Sequence, residues 1–252
     1  MKASPALVVE HLSRHFGGLK AVDDVSLTIQ AGTRHALIGP NGAGKTTLFN
    51  VISGEVAVSH GRISLFGEDV TRLAPHQRAA RGIARTFQIT KLFPNLTVDE
   101  NMLLACQALD RRKLTMLRSV SSYGDLTGRA ADLVGQFGLS GQAQEFARNL
   151  SYGDQRKLEV ALSLAGRPRL LLLDEPMAGL SAGESASMHA ILEQLDPAIA
   201  VLLIEHDMDI AFAFAERVTV LHQGRVLTDG SKDEVSANRG VQQIYLGMDA
   251  AQ

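Results

Sequence analysis

The sequence predicts an α/β fold in which helices cover both faces of a parallel sheet. Two short apolar runs, residues 170–173 and 199–204, contain no polar break and are followed by polar side chains. Unbroken apolar strands separated by helical stretches are typical of parallel strands buried on both faces. A third apolar run, RHALIG, leads directly into the glycine-rich segment GPNGAGKTT and then into a helical pattern that ends at Gly54. The predicted order at this point is strand, glycine loop and helix.

Local patterns predict further strands in the first third of the chain. Val25, Leu27 and Ile29 alternate with polar residues, which indicates a half-buried strand before the turn at residues 31–32. The segment GRISLFGEDV predicts another strand or hairpin, and IARTFQ predicts the end of a strand. These strands precede a stretch of different character.

Helical signals dominate from about residue 89 to 166. Thr97 and Glu100 form a T-x-x-E capping box before NMLLACQAL, and another helix is predicted over residues 127–138. Near the C-terminus, VTVLHQGRVLTDG predicts a hairpin, and an S-x-x-E box at Ser231 and Glu234 predicts that a helix follows it.

Composition limits the classes of protein to which the chain can belong. Its 252 residues are 45% apolar and 21% charged, with a formal net charge of -2, so overall charge does not favour nucleic acid as a partner. Cys106 is the single cysteine, which excludes an internal disulfide, and its helical context predicts a buried small hydrophobe. The apolar runs are far shorter than the roughly 20 residues of a membrane helix, and the start lacks a secretory signal pattern. We therefore expect a cytosolic protein.

Residues 39–46 fit the phosphate-binding pattern G-x-x-x-x-G-K-[ST]. Glycines in such a loop let successive backbone N–H groups surround phosphate oxygens, and the N-terminus of the following helix adds positive potential. Lys45 is expected to reach the β and γ phosphates, and the Thr46 hydroxyl is expected to bind Mg²⁺. This pattern predicts a nucleotide site.

Polar side chains follow the apolar strands, at the sheet edge where ligands bind in such folds. Asp174 ends LLLLD and is expected to hold Mg²⁺, while the adjacent Glu175 is placed to polarise an attacking water. Gln88 ends IARTFQ and His206 ends IAVLLIEH, so both can reach the same nucleotide.

The segment LSYGDQ, residues 150–155, predicts a second phosphate-binding helix start. Ser151 can cap the helix, and Gly153 allows a ligand to approach the backbone. The stretch 150–160 contains Lys157 only on its later helical turns, away from the expected phosphate position. Its residues alone do not indicate which phosphate it binds.

Taken in order, GPNGAGKTT, Gln88, LSYGDQ, LLLLDEP, AGLS and His206 resemble the ATP-binding cassette (ABC) family of ATPases over roughly residues 6–248. The resemblance implies an α/β P-loop NTPase (RecA-like) core with an antiparallel β sub-domain. It also implies a helical sub-domain, approximately residues 89–166, inserted in that core.

The resemblance further implies a site shared by two cassettes, in which LSYGDQ of one closes over ATP held by the P-loop of the other. Glu175 resembles the catalytic base, His206 the γ-phosphate sensor, and Gln88 the residue that links Mg²⁺ and the attacking water to the helical sub-domain. Phe16 resembles the aromatic that stacks on adenine. The expected nucleotide-binding residues are Phe16, Gly39, Asn41, Gly42, Gly44, Lys45, Thr46, Thr47, Ser151 and Gly153, and the expected magnesium ligands are Thr46, Gln88 and Asp174.

Two segments depart from the family pattern. Tyr152 takes the place of the first glycine of the usual LSGGQ, and Asp154 comes before Gln155. Ser181 in AGLS stands where the family commonly has aspartate. Both departures lie in segments through which the two cassettes are expected to communicate.

Within the family, FGGLKAVDDVSL, RTFQITKLFPNLTVDENMLLA, LLIEHDMDIAF and YLG at residues 245–247 look most like the ATPase subunits of branched-chain amino acid importers. This resemblance implies a second cassette, identical or similar, together with two membrane permease subunits and an extracytoplasmic solute-binding protein. It places the chain at the cytoplasmic face of the inner membrane, as a peripheral subunit. Two alternatives stay open: the ATPase of a lipopolysaccharide exporter, and a soluble ABC ATPase that has no role in transport.

Overall fold

A computed structural model describes residues 4–86, 92–108 and 124–249. These residues belong to two compact units. The first unit comprises the chain up to Ile83, Arg169–Glu175 and the chain from Asp196 onward. The second unit comprises Ala84–Pro168 and Pro176–Leu195.

The strands in chain order are β1 (Leu7–Phe16), β2 (Leu19–Ile29), β3 (Arg34–Ile38), β4 (His60–Leu65), β5 (Glu68–Asp69), β6 (Ile83–Arg85), β7 (Leu170–Asp174), β8 (Ala200–Ile204), β9 (Arg217–His222) and β10 (Arg225–Gly230). The helices are α1 (Lys45–Ser53), α2 (Pro75–Ala79), α3 (Val98–Ala108), α4 (Gly124–Gln136), α5 (Tyr152–Leu164), α6 (Ala182–Glu193), α7 (Met208–Phe214), α8 (Lys232–Ser236) and α9 (Arg239–Asp249). Short 3₁₀ turns occupy Ser140–Gln142 and Ala147–Asn149.

Strands form two sheets of different construction. A four-stranded antiparallel sheet has the order β2-β1-β4-β5, and a six-stranded sheet has the order β10-β9-β3-β8-β7-β6. In the larger sheet, β3 pairs in parallel with β8 and β9, and β7 pairs in parallel with β8. Every residue of β7 and β8 is buried, which confirms the prediction from their unbroken apolar sequences.

The local predictions are confirmed at most elements. Residues 25–29 lie in β2, GRISLFGEDV forms the β4–β5 hairpin, and the predicted C-terminal hairpin is β9–β10. Both capping boxes form: Thr97 N–H donates to Glu100 Oε2 at 2.8 Å, and Ser231 N–H donates to Glu234 Oε2 at 2.7 Å. Cys106 is buried, as predicted.

The helix predicted over residues 127–138 is α4, but its bounds differ. It already includes Gly124, whose carbonyl accepts a hydrogen bond from the Thr127 hydroxyl, and Asp125. It ends before Gly138, whose φ of 70° breaks the helical conformation. In the part of the chain that is described, no helix has the length and apolarity needed to cross a membrane.

Candidate functional site

Three neighbouring parallel strands end together beside the glycine loop. Leu37 of β3 lies opposite Ile204 of β8, and Asp174 of β7 lies opposite Ile204 from the other side. The residues that directly follow these strands therefore meet at one edge of the sheet, because parallel strands run in the same direction. The glycine loop follows β3, Glu175 follows β7 and His206 follows β8.

The glycine loop approaches other backbone segments too closely for a larger residue. At Gly39, which has a φ of 151°, an added Cβ would overlap the carbonyl oxygen of Leu221. At Gly44, with a φ of 102°, it would overlap the carbonyl oxygen of Ala21. Gly44 is also the N-cap of α1 and provides no side-chain cap, so the first N–H groups of α1 can be used by an anion.

Lys45 lies inside this loop and is only 6% exposed. Its Nζ donates to the carbonyl oxygens of Gly39 at 2.5 Å and Pro40 at 3.1 Å. Burial lowers the pKa of Lys45, and the Glu175 and Asp174 carboxylates oppose that shift. The structure thus brings the predicted lysine, magnesium carboxylate and catalytic glutamate together in one electrostatic cluster.

Glu175 has an unusual backbone conformation, with a φ of 46°. Residues without glycine's freedom adopt this left-handed region at an energetic cost, and such strain is frequent at functional sites. Its N–H donates to the Ile204 carbonyl at 3.0 Å, which ties it to the end of β8. His206 Nδ1 lies 3.8 Å from Glu175 Oε2. The two predicted catalytic side chains are therefore neighbours.

Other predicted residues are placed as follows. Asn41 and Gly42 lie in the exposed part of the glycine loop, and Thr46 and Thr47 lie in the first turn of α1. Phe16 ends β1 and is 45% exposed, as an adenine-stacking ring requires. Gln88 lies outside the described residues.

In the second unit, Ser151 is the N-cap of α5, as predicted. Its Oγ accepts a hydrogen bond from Asp154 N–H at 3.1 Å and donates to Asp154 Oδ2 at 2.9 Å. Gly153 is buried in the first turn of the same helix. Both residues belong to a unit that is compact without the glycine loop.

Sequence reasoning missed two residues that contact the predicted site. The guanidinium of Arg14 lies over the Phe16 ring, with Cζ 4.4 Å from its centroid. The sequence contained a signal for Arg14, because residues two apart in a strand lie on the same face. Tyr245 Oη is buried and has no hydrogen-bond partner among the described residues. Burial raises the pKa of Tyr245 to about 12, and the nearby Gly39 N–H opposes that shift without completing a hydrogen bond.

The mostly parallel sheet has a central strand, β3, that runs through a glycine loop into a helix. The buried Lys45 of this helix interacts with carboxylates at the end of β7, which is separated from β3 by β8. These features define a P-loop nucleotide-binding protein. Residues 22–178, more than half of the chain, match the family described as ABC transporter, and the chain belongs to that family. It is thus a nucleotide-binding ATPase of the kind that is coupled to transport.

Individual relatives match over nearly the whole chain. The chain is 38% identical to the high-affinity branched-chain amino acid transport ATP-binding protein BraF of Pseudomonas aeruginosa, with 96% of this chain and 98% of BraF covered. It is 38% identical to LivG of Escherichia coli, which has the same description, with 97% and 99% covered. The lipopolysaccharide export system ATP-binding protein LptB of Escherichia coli is 33% identical, with 96% and 98% covered.

The fold is also that of solved cassettes. The ADP conformation of an ATP-binding cassette from an ABC transporter superposes with a TM-score of 0.85 and 29% identity, covering 96% of this chain and 99% of that one. The predicted α/β P-loop fold and the predicted family are therefore confirmed, as is the greater similarity to branched-chain amino acid ATPases than to the lipopolysaccharide exporter. ATPases of this family work with permeases and dimerise.

Proposed function

We propose that this ATPase powers the uptake of branched-chain amino acids or related small organic solutes. The observation that carries the proposal is the similarity, from end to end, to two branched-chain amino acid transport ATP-binding proteins. The cassette spans residues 6–248, with a helical sub-domain at approximately 89–166. Because solute contacts lie in the other subunits of such a transporter, the proposal concerns a class of solute.

The nucleotide is ATP bound with Mg²⁺. Magnesium in such sites takes one or two carboxylates, a hydroxyl and phosphate oxygens. The side chains of Thr46 in α1 and Asp174 at the end of β7 are of this chemical type, and the proposal is supported by the effect of Asp174, which raises the pKa of Lys45. Gln88 is the third expected ligand. The residues therefore fit the ion, whose charge neutralises the phosphates.

Several residues of the chain have separate roles in hydrolysis. Glu175 accepts a proton from the attacking water, and His206, beside it, senses the γ-phosphate. Lys45 and the N–H groups of the loop around Gly42 hold the phosphates, while Phe16 stacks on adenine. The left-handed backbone of Glu175 supports its role, because such strain is frequent at functional sites.

Hydrolysis requires a second cassette, identical or similar. Ser151 and Gly153 hold the γ-phosphate of the nucleotide on the partner's P-loop, which accounts for a helix N-terminus with no lysine at its first turn. ATP contacts both cassettes only in the closed dimer, so its binding shifts the population toward closure. Closure acts on two permease subunits, which receive solute from an extracytoplasmic binding protein, with this chain on the cytoplasmic face of the inner membrane.

The test is to tag the protein in its native cell, extract the membranes in mild detergent and identify the co-purifying chains. We expect two apolar permease chains to co-purify. We also expect the ATPase activity to be stimulated by a solute-binding protein loaded with leucine, isoleucine or valine. A lipopolysaccharide exporter is the second candidate, favoured by the similarity to LptB. Stimulation by lipopolysaccharide would support it. Recovery of the chain alone, or with ribosomes or DNA, would overturn the transport proposal.

A further inference from the structure

Tyr152, which replaces a family glycine in LSYGDQ, contacts the loop that precedes α6. We call residues 150–155 the signature segment and residues 178–181, sequence AGLS, the AGLS loop. Tyr152 Oη donates a hydrogen bond to the Ala178 carbonyl at 3.2 Å. The ring lies on Gly179, where an added Cβ would stand 3.2 Å from Cε1 of the tyrosine. A glycine at position 152 could make neither contact.

The Tyr152 side chain is braced from its own helix. Arg156 Nε donates to Tyr152 Oη at 3.1 Å, and the guanidinium lies 5.4 Å from the centre of the ring. Arg156 is itself fixed by Glu159, since Nη1 donates to Glu159 Oε2 at 2.9 Å and both side chains are buried. The phenol oxygen therefore accepts a hydrogen bond from α5 and donates one to the AGLS loop, so it links the two segments.

A second contact runs in the opposite direction, from α6 to the signature segment. Glu184 lies so close to Gly153 that a Cβ at position 153 would overlap its carboxylate. Ser181 holds that carboxylate by its N–H at 2.9 Å and its Oγ at 2.6 Å. These hydrogen bonds lower the pKa of the Glu184 carboxyl, so the group is ionised at neutral pH. Tyr152 of the signature segment thus lies on Gly179 of the AGLS loop, and Glu184 of α6, which Ser181 of that loop holds, lies on Gly153 of the signature segment.

We propose that Tyr152 and Glu184 are positioning residues that fasten the signature segment to the AGLS loop of the same chain. Ser151 and Gly153 are then presented to a partner's nucleotide in a fixed relation to that loop. The inference rests on the proposed function, in which the signature segment binds phosphate across a dimer. It unites the two departures from the family pattern, because Tyr152 supplies one contact and Ser181 orients the side chain that supplies the other.

Hydrogen exchange of the purified full-length chain tests the fastening itself. Tyr152→Phe removes the two hydrogen bonds of Oη and keeps the ring, and Glu184→Ala removes the contact with Gly153. We expect each variant to accelerate amide exchange about three- to tenfold in both the signature segment and the AGLS loop. Exchange in α3 should be unchanged, which separates this effect from global loosening.

Two control variants match these changes. Glu234→Ala breaks the same kind of reciprocal cap with Ser231 in the first unit, and Phe146→Ala removes an exposed ring that also lies under an arginine, Arg148. Neither should alter exchange in the signature segment or the AGLS loop. Acceleration confined to the signature segment in Tyr152→Phe, or to the AGLS loop and α6 in Glu184→Ala, would overturn the proposal.

ATPase kinetics of the purified transporter test the positioning role. Tyr152→Phe should raise KM for ATP several-fold and change kcat less, because Glu175 and Lys45 are untouched. Phe146→Ala should leave both parameters unchanged. Reciprocal exchange with an unchanged KM would make the contact merely structural and overturn the positioning role. Failure of the chain to associate with permeases would count against the proposed function and leave the exchange result intact.

Discussion

The guanidinium of Arg78 closes the carboxyl end of the helix that follows the glycine loop, with Nη1 2.7 Å from the carbonyl oxygen of Ile52. The same nitrogen donates to Val51 at 2.7 Å, and the other nitrogens donate to Leu73 and Thr71 at 3.0 Å. Arg78 is 2% exposed, and burial lowers its pKa. A cation at a helix C-terminus is stabilised by the helix dipole. This charge is therefore satisfied entirely by carbonyl groups.

Arg78→Met should destabilise the protein strongly. Two buried and two part-buried carbonyl groups lose the guanidinium as a donor, and the expected loss of unfolding free energy is at least about 3 kcal/mol. Urea denaturation measures it. Arg81→Met is the control: Arg81 makes a half-exposed ion pair with Glu68 at 3.0 Å, so its loss should cost less than about 1 kcal/mol. Equal effects of the two variants would contradict this account of Arg78.

Alanine substitutions in the glycine loop should have graded effects. Gly39→Ala and Gly44→Ala force a Cβ into a backbone carbonyl, so each should reduce ATP affinity more than tenfold and cost more than about 2 kcal/mol of stability. Gly42→Ala meets open space and should cost only about 1 kcal/mol for its left-handed conformation. ATP titration and thermal unfolding give the ranking. A ranking with Gly42→Ala as the most damaging variant would refute the steric argument.

Glu175→Gln should abolish turnover and preserve ATP binding. A general base contributes about 10²- to 10⁴-fold to rate, while the amide keeps the size of the side chain. Light scattering with ATP should then show a long-lived dimer of cassettes, formed with whichever cassette the native transporter contains. Lys45→Ala is the control, because loss of a charge-assisted phosphate contact should remove ATP affinity and with it the dimer. Wild-type ATPase activity in Glu175→Gln would exclude this residue as the base.

His35 should make stability depend on pH below neutrality. Its Nε2 lies 2.7 Å from Thr219 Oγ1, and burial lowers its pKa from 6.5 to about 4, although Asp229 opposes the shift. The folded state resists a proton that the unfolded state accepts, so this stabilisation is present above pH 6.5 and is lost as pH falls toward 4. The contribution is at most about 3 kcal/mol.

The variant His35→Gln measures that contribution. Urea denaturation between pH 7 and 4 should give a flatter stability profile for His35→Gln than for the wild type. The variant His76→Gln removes an exposed imidazole and is the control, which should reproduce the wild-type slope. Parallel slopes for all three proteins would show that His35 is not the titrating group.

Local signals in the sequence were sufficient for the glycine loop and for the buried strands. An unbroken apolar run is a property of adjacent residues, and so is the pattern around Lys45 and Thr46. Capping boxes at Thr97 and Ser231 are equally local, because both partners lie within one turn. These features were therefore readable before any tertiary structure was known.

Contacts between distant residues could not be read in the same way. Arg78 has the composition of a surface residue, and only the packing of α2 against the end of α1 makes it buried. Tyr152 was visible as a departure from a pattern, but its partner Ala178 depends on how the chain returns after β7. Residues 124–126 of α4 were missed because glycine disfavours helices on propensity alone.

The position of β3 in the sheet has a consequence for biosynthesis. The strand that leads into the glycine loop, β3, pairs on one side with β8 and on the other with β9. Both partners, residues 200–204 and 217–222, are translated more than 150 residues after β3. During most of translation both edges of β3 lack these partners, and unpaired strand edges favour aggregation. A nascent chain should thus acquire nucleotide affinity only near the end of its synthesis. ATP binding by ribosome-bound chains of increasing length would show at which length this sheet is complete.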